Sequence, residues 1–270
     1  TDIGVPRTDS TILLDTNSSI DLSSSKEGVG VYADRSTLTV NGSVKVGENG
    51  IGIYGENTEA NINSLELDLL GTNSVGLYLA GIENFIVTGN VDVNVTGTDS
   101  AIFYFDSTGS ITGLGENLRI LNTALGASFI LGVFQTAQFN FTNLFSNTVE
   151  LGNNSVTGIT GINSVIRFGT NVTVNGTGNG ETGISSDGQA TSSVPFIAGY
   201  TNYEVVNEGT IDLQNSSTGI YAKNGARVYN SGTIGVENNA TGISVKNSGS
   251  KIDNYGNITV AGSDVDNDLY

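Results

Sequence analysis

Three carboxylates, Asp34, Glu56 and Asp106, each stand two residues beyond a tyrosine in stretches of closely similar wording, VYAD, IYGE and FYFD. If each stretch is one turn of a coil, Asp34 and Glu56 fall on the same outer column one turn apart. Carboxylates about 5 Å apart are what a retaining glycosidase uses as nucleophile and acid. Stacking imposes that separation on any aligned pair, so solvated turn acids are expected here rather than catalysis. A second acidic run, Asp264, Asp266 and Asp268 in GSDVDNDLY, alternates like the opening of a calcium loop. It lacks the glycine at the sixth loop position, and the sequence ends before a closing glutamate could appear. A charged surface turn is therefore expected, with no metal and no cofactor.

The aromatic residues offer a second kind of chemistry. Tyr32, Tyr54, Tyr78 and Tyr104 recur at separations of 22, 24 and 26 residues. Aligned phenols can stack on sugar rings or receive protein side chains, and their hydroxyls can hydrogen-bond. Stacking between successive coils is the simpler reading of the same column. Pro195, Phe196, Tyr200 and Tyr203 fall in SDGQATSSVPFIAGYTNY, where the alternation of the chain lapses. Loops carry binding more often than regular strands do, so this stretch is the first candidate for contact and the tyrosine column the second.

Other chemistries are closed by composition. The chain has no Cys and no His. That removes disulfides, thiol nucleophiles, histidine metal sites and the serine–histidine–carboxylate triad. Ten Lys and Arg against 27 Asp and Glu leave a formal charge of −17, a surface that repels phosphate backbones and anionic headgroups. Neither nucleic-acid binding nor direct membrane insertion is expected. Asn-x-Ser/Thr triplets such as Asn94-Val-Thr96 follow from the abundance of those residues and are read as turns.

The elements that would position these residues follow from the repeat. GVGVY at 28–32 and GIGIY at 50–54 return as VGLYL, AIFYF, TGIYA and TGISV. Between the tyrosines lie two further short alternating runs, such as STLTV and GSVKVG. Three short strands in 22–26 residues make one coil of an all-β parallel β-solenoid. The alternation places Val29, Val31, Ile51, Ile53, Val75, Leu77, Ala101 and Phe103 inside, with Gly30, Gly52, Gly76 and the tyrosines outside. Residues 1–270 are expected to form a single solenoid segment of a longer protein, some 11 turns and roughly 50 Å long at about 4.8 Å per turn. Within it, 126–155 reads as irregular Phe-rich coils filling a wider core, and 186–204 as a surface excursion.

The repeated GVGVYADRSTLTVNGSVKVGENGIGIYGEN and STGIYAKNGARVYNSGTIGVENNATGISVKN resemble the passenger repeats of large autotransporter adhesins of fusobacteria and related Gram-negative bacteria. The likeness covers residues 10–125 and 205–265. It implies a right-handed parallel β-helix exported to the bacterial cell surface through the outer membrane and displayed by a β-barrel lying outside this sequence. The implied partners are a host-cell surface protein or glycan, or a partner bacterium in coaggregation, met by a monomeric rod. Two alternatives stand beside it. TNSVGLY and INSVIRFG are similar to trimeric autotransporter head repeats, which are shorter than 22–26 residues. A polysaccharide-processing β-helix enzyme or tailspike would need an acid and base clustered in a groove.

Overall fold

The computed structural model describes residues 10–81, 84–106, 110–123, 129–135, 138–141, 148–151, 156–192, 194 and 196–262. Nearly all of them lie in strands and turns, and every recorded strand pairing is parallel. The chain is a β-solenoid. Its longest sheet takes one strand from each coil: Val29–Asp34, Ile51–Glu56, Val75–Ala80, Ala101–Asp106, Phe129–Gln135, Thr157–Ile162, Thr182–Asp187, Thr218–Lys223 and Thr241–Lys246. The only helix among the described residues is the single turn Leu114–Asn117.

The second and third strands of each coil are arranged differently in the two halves. Near the N-terminus they fuse into 11-residue strands, Ser36–Val46 and Glu59–Leu69. The bend inside the first falls at Asn41 and Gly42, where the register slips after Val40. A Cβ on Gly42 would lie 2.5 Å from the Ser18 carbonyl oxygen, so only glycine lets the neighbouring coil approach. Toward the C-terminus the two strands separate into two five-stranded sheets. One contains Val165–Phe168, Val205–Asn207, Arg227–Asn230 and Lys251–Asn254, the other Thr173–Gly176, Thr210–Leu213, Thr233–Glu237 and Asn257–Ala261.

Among the described residues there are about nine turns rather than the 11 expected. The middle coils are longer than the repeat near either end. Ala101 to Phe129 and Phe129 to Thr157 each take 28 residues, and Thr182 to Thr218 takes 36. Nine rungs at about 4.8 Å make a rod of roughly 40 Å.

Val31, Ile53, Leu77 and Phe103 stack inside as expected, all essentially buried. The glycines do not face out. A Cβ on Gly52 would meet the Gly76 carbonyl at 2.7 Å and the core methyls of Val44 and Val46 at 3.1–3.2 Å, so this position points inward. The strand kinks there, the alternation slips by one, and the residue before the glycine turns outward, leaving Val29 45% exposed. Where the fourth rung has Ile102 in place of glycine, the next strand carries a register irregularity between Phe129 and Gly132.

The core widens at the middle with aromatic rings. Phe85, Phe103, Phe105, Phe134, Phe139 and Phe168 are fully buried. Phe105 packs edge-on to Phe85 and Phe134 at 5.1 and 5.2 Å. Of the remaining Phe-rich stretch, Phe145 and the side chains of Phe129 and Phe141 lie outside the described residues.

Candidate functional site

The tyrosine column is a ring stack on the outer face of the long sheet. Tyr32 to Tyr54, Tyr54 to Tyr78 and Tyr78 to Tyr104 are 5.3, 5.0 and 4.6 Å apart at ring centroids, tilted by only 5–7°. The parallel register of adjacent coils puts each ring directly over the next. This uses up the ring faces. Tyr32, 61% exposed at the end of the stack, keeps an open face. What the column offers along its length is ring edges and phenol oxygens. Burial, then the neighbouring charge of Glu56, holds the Tyr54 phenol above its ordinary pKa, and burial followed by Tyr104 does the same to Tyr78.

The carboxylates beside this column do not converge. Asp34 and Glu56 are register partners, but Glu56 and Asp106 both pair with Ala80. Asp34 accepts a hydrogen bond from Arg35 Nε at 3.1 Å. Among the described residues no three acids are grouped to hold a metal ion. Asp264, Asp266 and Asp268 lie outside the described residues.

The excursion occupies 188–204, since Ser186 and Asp187 still belong to the strand Thr182–Asp187. It folds back onto the solenoid. Val194 and Ile197 bury against Val165, with Ala190, Phe196 and Tyr200 packed around them. Glu204, fully buried, anchors its base. The carboxylate accepts from Arg227 Nη2 at 2.7 Å, Arg227 Nε at 3.0 Å, the Arg227 backbone N–H at 2.8 Å and the Ala190 N–H at 3.2 Å. Arg227 in turn lies over the Phe196 ring at 5.6 Å, and Arg167 over Tyr200 at 5.7 Å.

Tyr200 and Tyr203 are held by their hydroxyls. Tyr200 donates to Glu208, which also receives Arg167. Tyr203 donates to Asp253, fifty residues on. These bonds to carboxylates, with burial second, push both phenols up to about 12. Their rings lead into a second aromatic row, Tyr229 and then Tyr255, the latter 72% exposed. Pro195 lies outside the described residues, so Phe196, Tyr200 and Tyr203 represent the predicted contact stretch.

A shallow groove of about 560 Å³ opens at the start of the excursion, lined by Asn163, Asp187, Gln189, Asn224, Ser248 and neighbouring glycines. Two of its lining residues, Asn163 and Asn224, are corner asparagines in the left-handed conformation, as is Asn247 beside Ser248. Asn224 donates to Asp187 at 2.6 Å, and Asn247 donates to Asn224. Burial works against the charge of Asp187, but hydrogen bonds from Asn224 and Lys223 outweigh it and hold the carboxyl below its ordinary pKa. The groove presents amides, a fixed carboxylate and exposed backbone.

Sequence reasoning missed Glu204, Arg227, Tyr229, Tyr255 and the asparagine groove. A signal existed for some of them. Tyr229 and Tyr255 are 26 residues apart, and Asn207, Asn230 and Asn254 recur at 23 and 24. The last three form an amide ladder, with Asn207 donating to Asn230 at 2.8 Å and Asn230 to Asn254 at 2.7 Å.

Comparison with known proteins identifies no relative: no family model, no curated protein and no solved structure matches this chain.

Proposed function

We propose that this chain is a passenger segment of a bacterial outer-membrane autotransporter adhesin, exposed at the cell surface, where it serves as a stalk and contacts a host-cell or partner-bacterium receptor. The observation that carries the reading is the excursion 188–204. It is where the described coils depart most from the repeat, it packs aromatic rings against two arginines, and its first residues line the amide groove. The other described coils share a continuous apolar core, a design suited to reach. Composition supports the same reading. A chain without cysteine can pass two membranes unfolded, and a repetitive rod can fold progressively as it emerges. Many such rods on one surface convert weak single contacts into firm adhesion.

The contact face expected from the geometry is Phe196, the exposed Tyr255 edge and the groove beside Gln189, rather than the faces of the N-terminal tyrosines, which already stack on one another. The test is binding of the labelled chain to a glycan array and to whole bacterial and epithelial cells, beside a variant lacking 189–202. Binding by the intact chain and loss in a folded variant supports the reading. Equal binding by both removes the excursion from recognition, and no binding by either leaves the chain a spacer. Mass in solution distinguishes the monomeric rod from a trimeric head, and release of reducing ends from neutral or acidic glycans would replace the adhesin with an enzyme.

A further inference from the structure

Glu181 stands apart from every other acid among the described residues. Its residue is 1% exposed, and neither carboxylate oxygen has a well-formed hydrogen bond. It occupies the corner immediately before a strand of the long sheet, a position filled elsewhere by Gly50, Ser74, Ser100, Val156, Ser217 and Ala240. Those side chains are small, apolar or able to donate. Ser74 Oγ, for example, donates to the Gly71 carbonyl at 2.9 Å. An ionised carboxylate has no proton to donate, and burying it without partners is costly.

The turn around it is tight and glycine-rich, GTGNG at 176–180. Gly176 comes so close that a Cβ there would lie 2.1 Å from Glu181 Oε2, and Leu213 closes the same wall. The backbone of Glu181 ties coils together: its N–H donates to Ser217 Oγ at 3.0 Å and its carbonyl accepts from Thr218 N–H at 2.7 Å. Thr182, the next residue, donates to the Val156 carbonyl at 2.8 Å. The corner therefore joins the middle coils to the strand that feeds the excursion.

We propose that the turn 176–181 is a proton-operated latch: it closes over Glu181 when the side chain is the neutral acid, and opens when the ionised carboxylate moves out to water. Burial supports the direction, raising this carboxyl from 4.5 to about 7, with the Gly178 N–H acting the other way and the negative Glu150 adding to the rise. Among the described residues, Glu150 is the charged group whose field reaches it in this way. Because the folded value lies above the unfolded one, the latch is fully held below about 4.5 and released as pH rises through about 7. The latch acts whatever the rod binds.

Amide hydrogen exchange of the whole chain tests this, run at about pH 5.5 and about pH 8.5 and compared at each pH with Glu181→Gln so that intrinsic rates cancel. At the lower pH the two proteins should protect Glu181, Thr182 and Thr218 alike. At the higher pH the parent should lose protection there by ~10- to 100-fold relative to the variant. Equal protection at both pH values overturns the proposal. So does a loss shared evenly with the N-terminal rungs, which would mean general instability rather than a local latch. If Glu181→Gln does not fold, Glu181→Val, copying Val156 one rung earlier, carries the same comparison.

Discussion

The protein contains two rows of tyrosine built on the same inter-coil spacing, and they do opposite things. In the N-terminal row, Tyr32 to Tyr104, the rings lie within 7° of parallel and repeat like steps. In the C-terminal row, Tyr200, Tyr203, Tyr229 and Tyr255, neighbouring rings are tilted by 37–64° and two hydroxyls are bound to carboxylates, Tyr200 to nearby Glu208 and Tyr203 to Asp253 from a distant coil. Where each tyrosine is the register partner of the next, the rings meet face to face, and that order closes the faces to any ligand. In the second row Tyr229 is in register with Asp253 rather than Tyr255, which breaks the order, leaves Tyr255 open, and leaves charged anchors to hold what no longer stacks. Regularity provides reach, and interruption provides a surface that can be specific.

The largest expected effect separates the two regions at Glu204. Removing this buried carboxylate strands Arg227 and the Ala190 N–H, so Glu204→Ala should destabilise the C-terminal coils by about 3–5 kcal/mol. Limited proteolysis should then cut within 188–204 while fragments containing Tyr32–Tyr104 persist. Loss of both regions together would show that the anchor serves the whole rod.

Next comes the kink that keeps the N-terminal row in step. Gly52→Ala places a methyl 2.7 Å from the Gly76 carbonyl oxygen, a backbone atom that cannot swing away. A cost of about 1–3 kcal/mol is expected, read as a lower denaturation midpoint, with hydrogen exchange rising first along Ile51–Glu56 and Val75–Ala80. An unchanged midpoint would mean the rungs can spread without loss.

This glycine also marks where the sequence ceased to be readable. The period, the inner ladder of Val31, Ile53 and Leu77, and the stacking of tyrosines were all legible, because each depends on residues one repeat apart. Strict alternation put Gly52 outside, and the kink put it inside, since a period of two holds only while the strand is straight. The anchors were illegible for a different reason. Arg167 and Glu208 are 41 residues apart and Tyr203 and Asp253 fifty, distances set by the irregular coils themselves. Nor did Glu181 betray its burial, since most glutamates in turns are solvated.

An effect of similar size, without a clash, is expected from the column itself. Tyr54→Ala with Tyr78→Ala disrupts all three ring pairs, each worth about 0.5–1.5 kcal/mol. The rod should remain folded, and the near-ultraviolet circular dichroism of stacked phenols should collapse. If binding to cells also falls, the ring edges and hydroxyls take part in recognition, and the division of labour between the rows fails.

The finest distinction lies in the phenol protons. Tyr200 and Tyr203 are each held up to about 12 by a carboxylate acceptor, which favours the protonated phenol. Their folded values lie above the ordinary value near 10, so the contribution of these bonds is complete below about 10 and fades as pH rises through about 12. Absorbance titration at the phenolate band should therefore show two late phenols, and Tyr200→Phe and Tyr203→Phe should each remove one. Tyr54 and Tyr78 shift the same way through burial instead, so replacing Glu208 and Asp253 with Gln and Asn should advance only the C-terminal pair. If all four phenols move together, the acceptors are not what separates the two rows, and the carboxylates act on the excursion only as general negative charge.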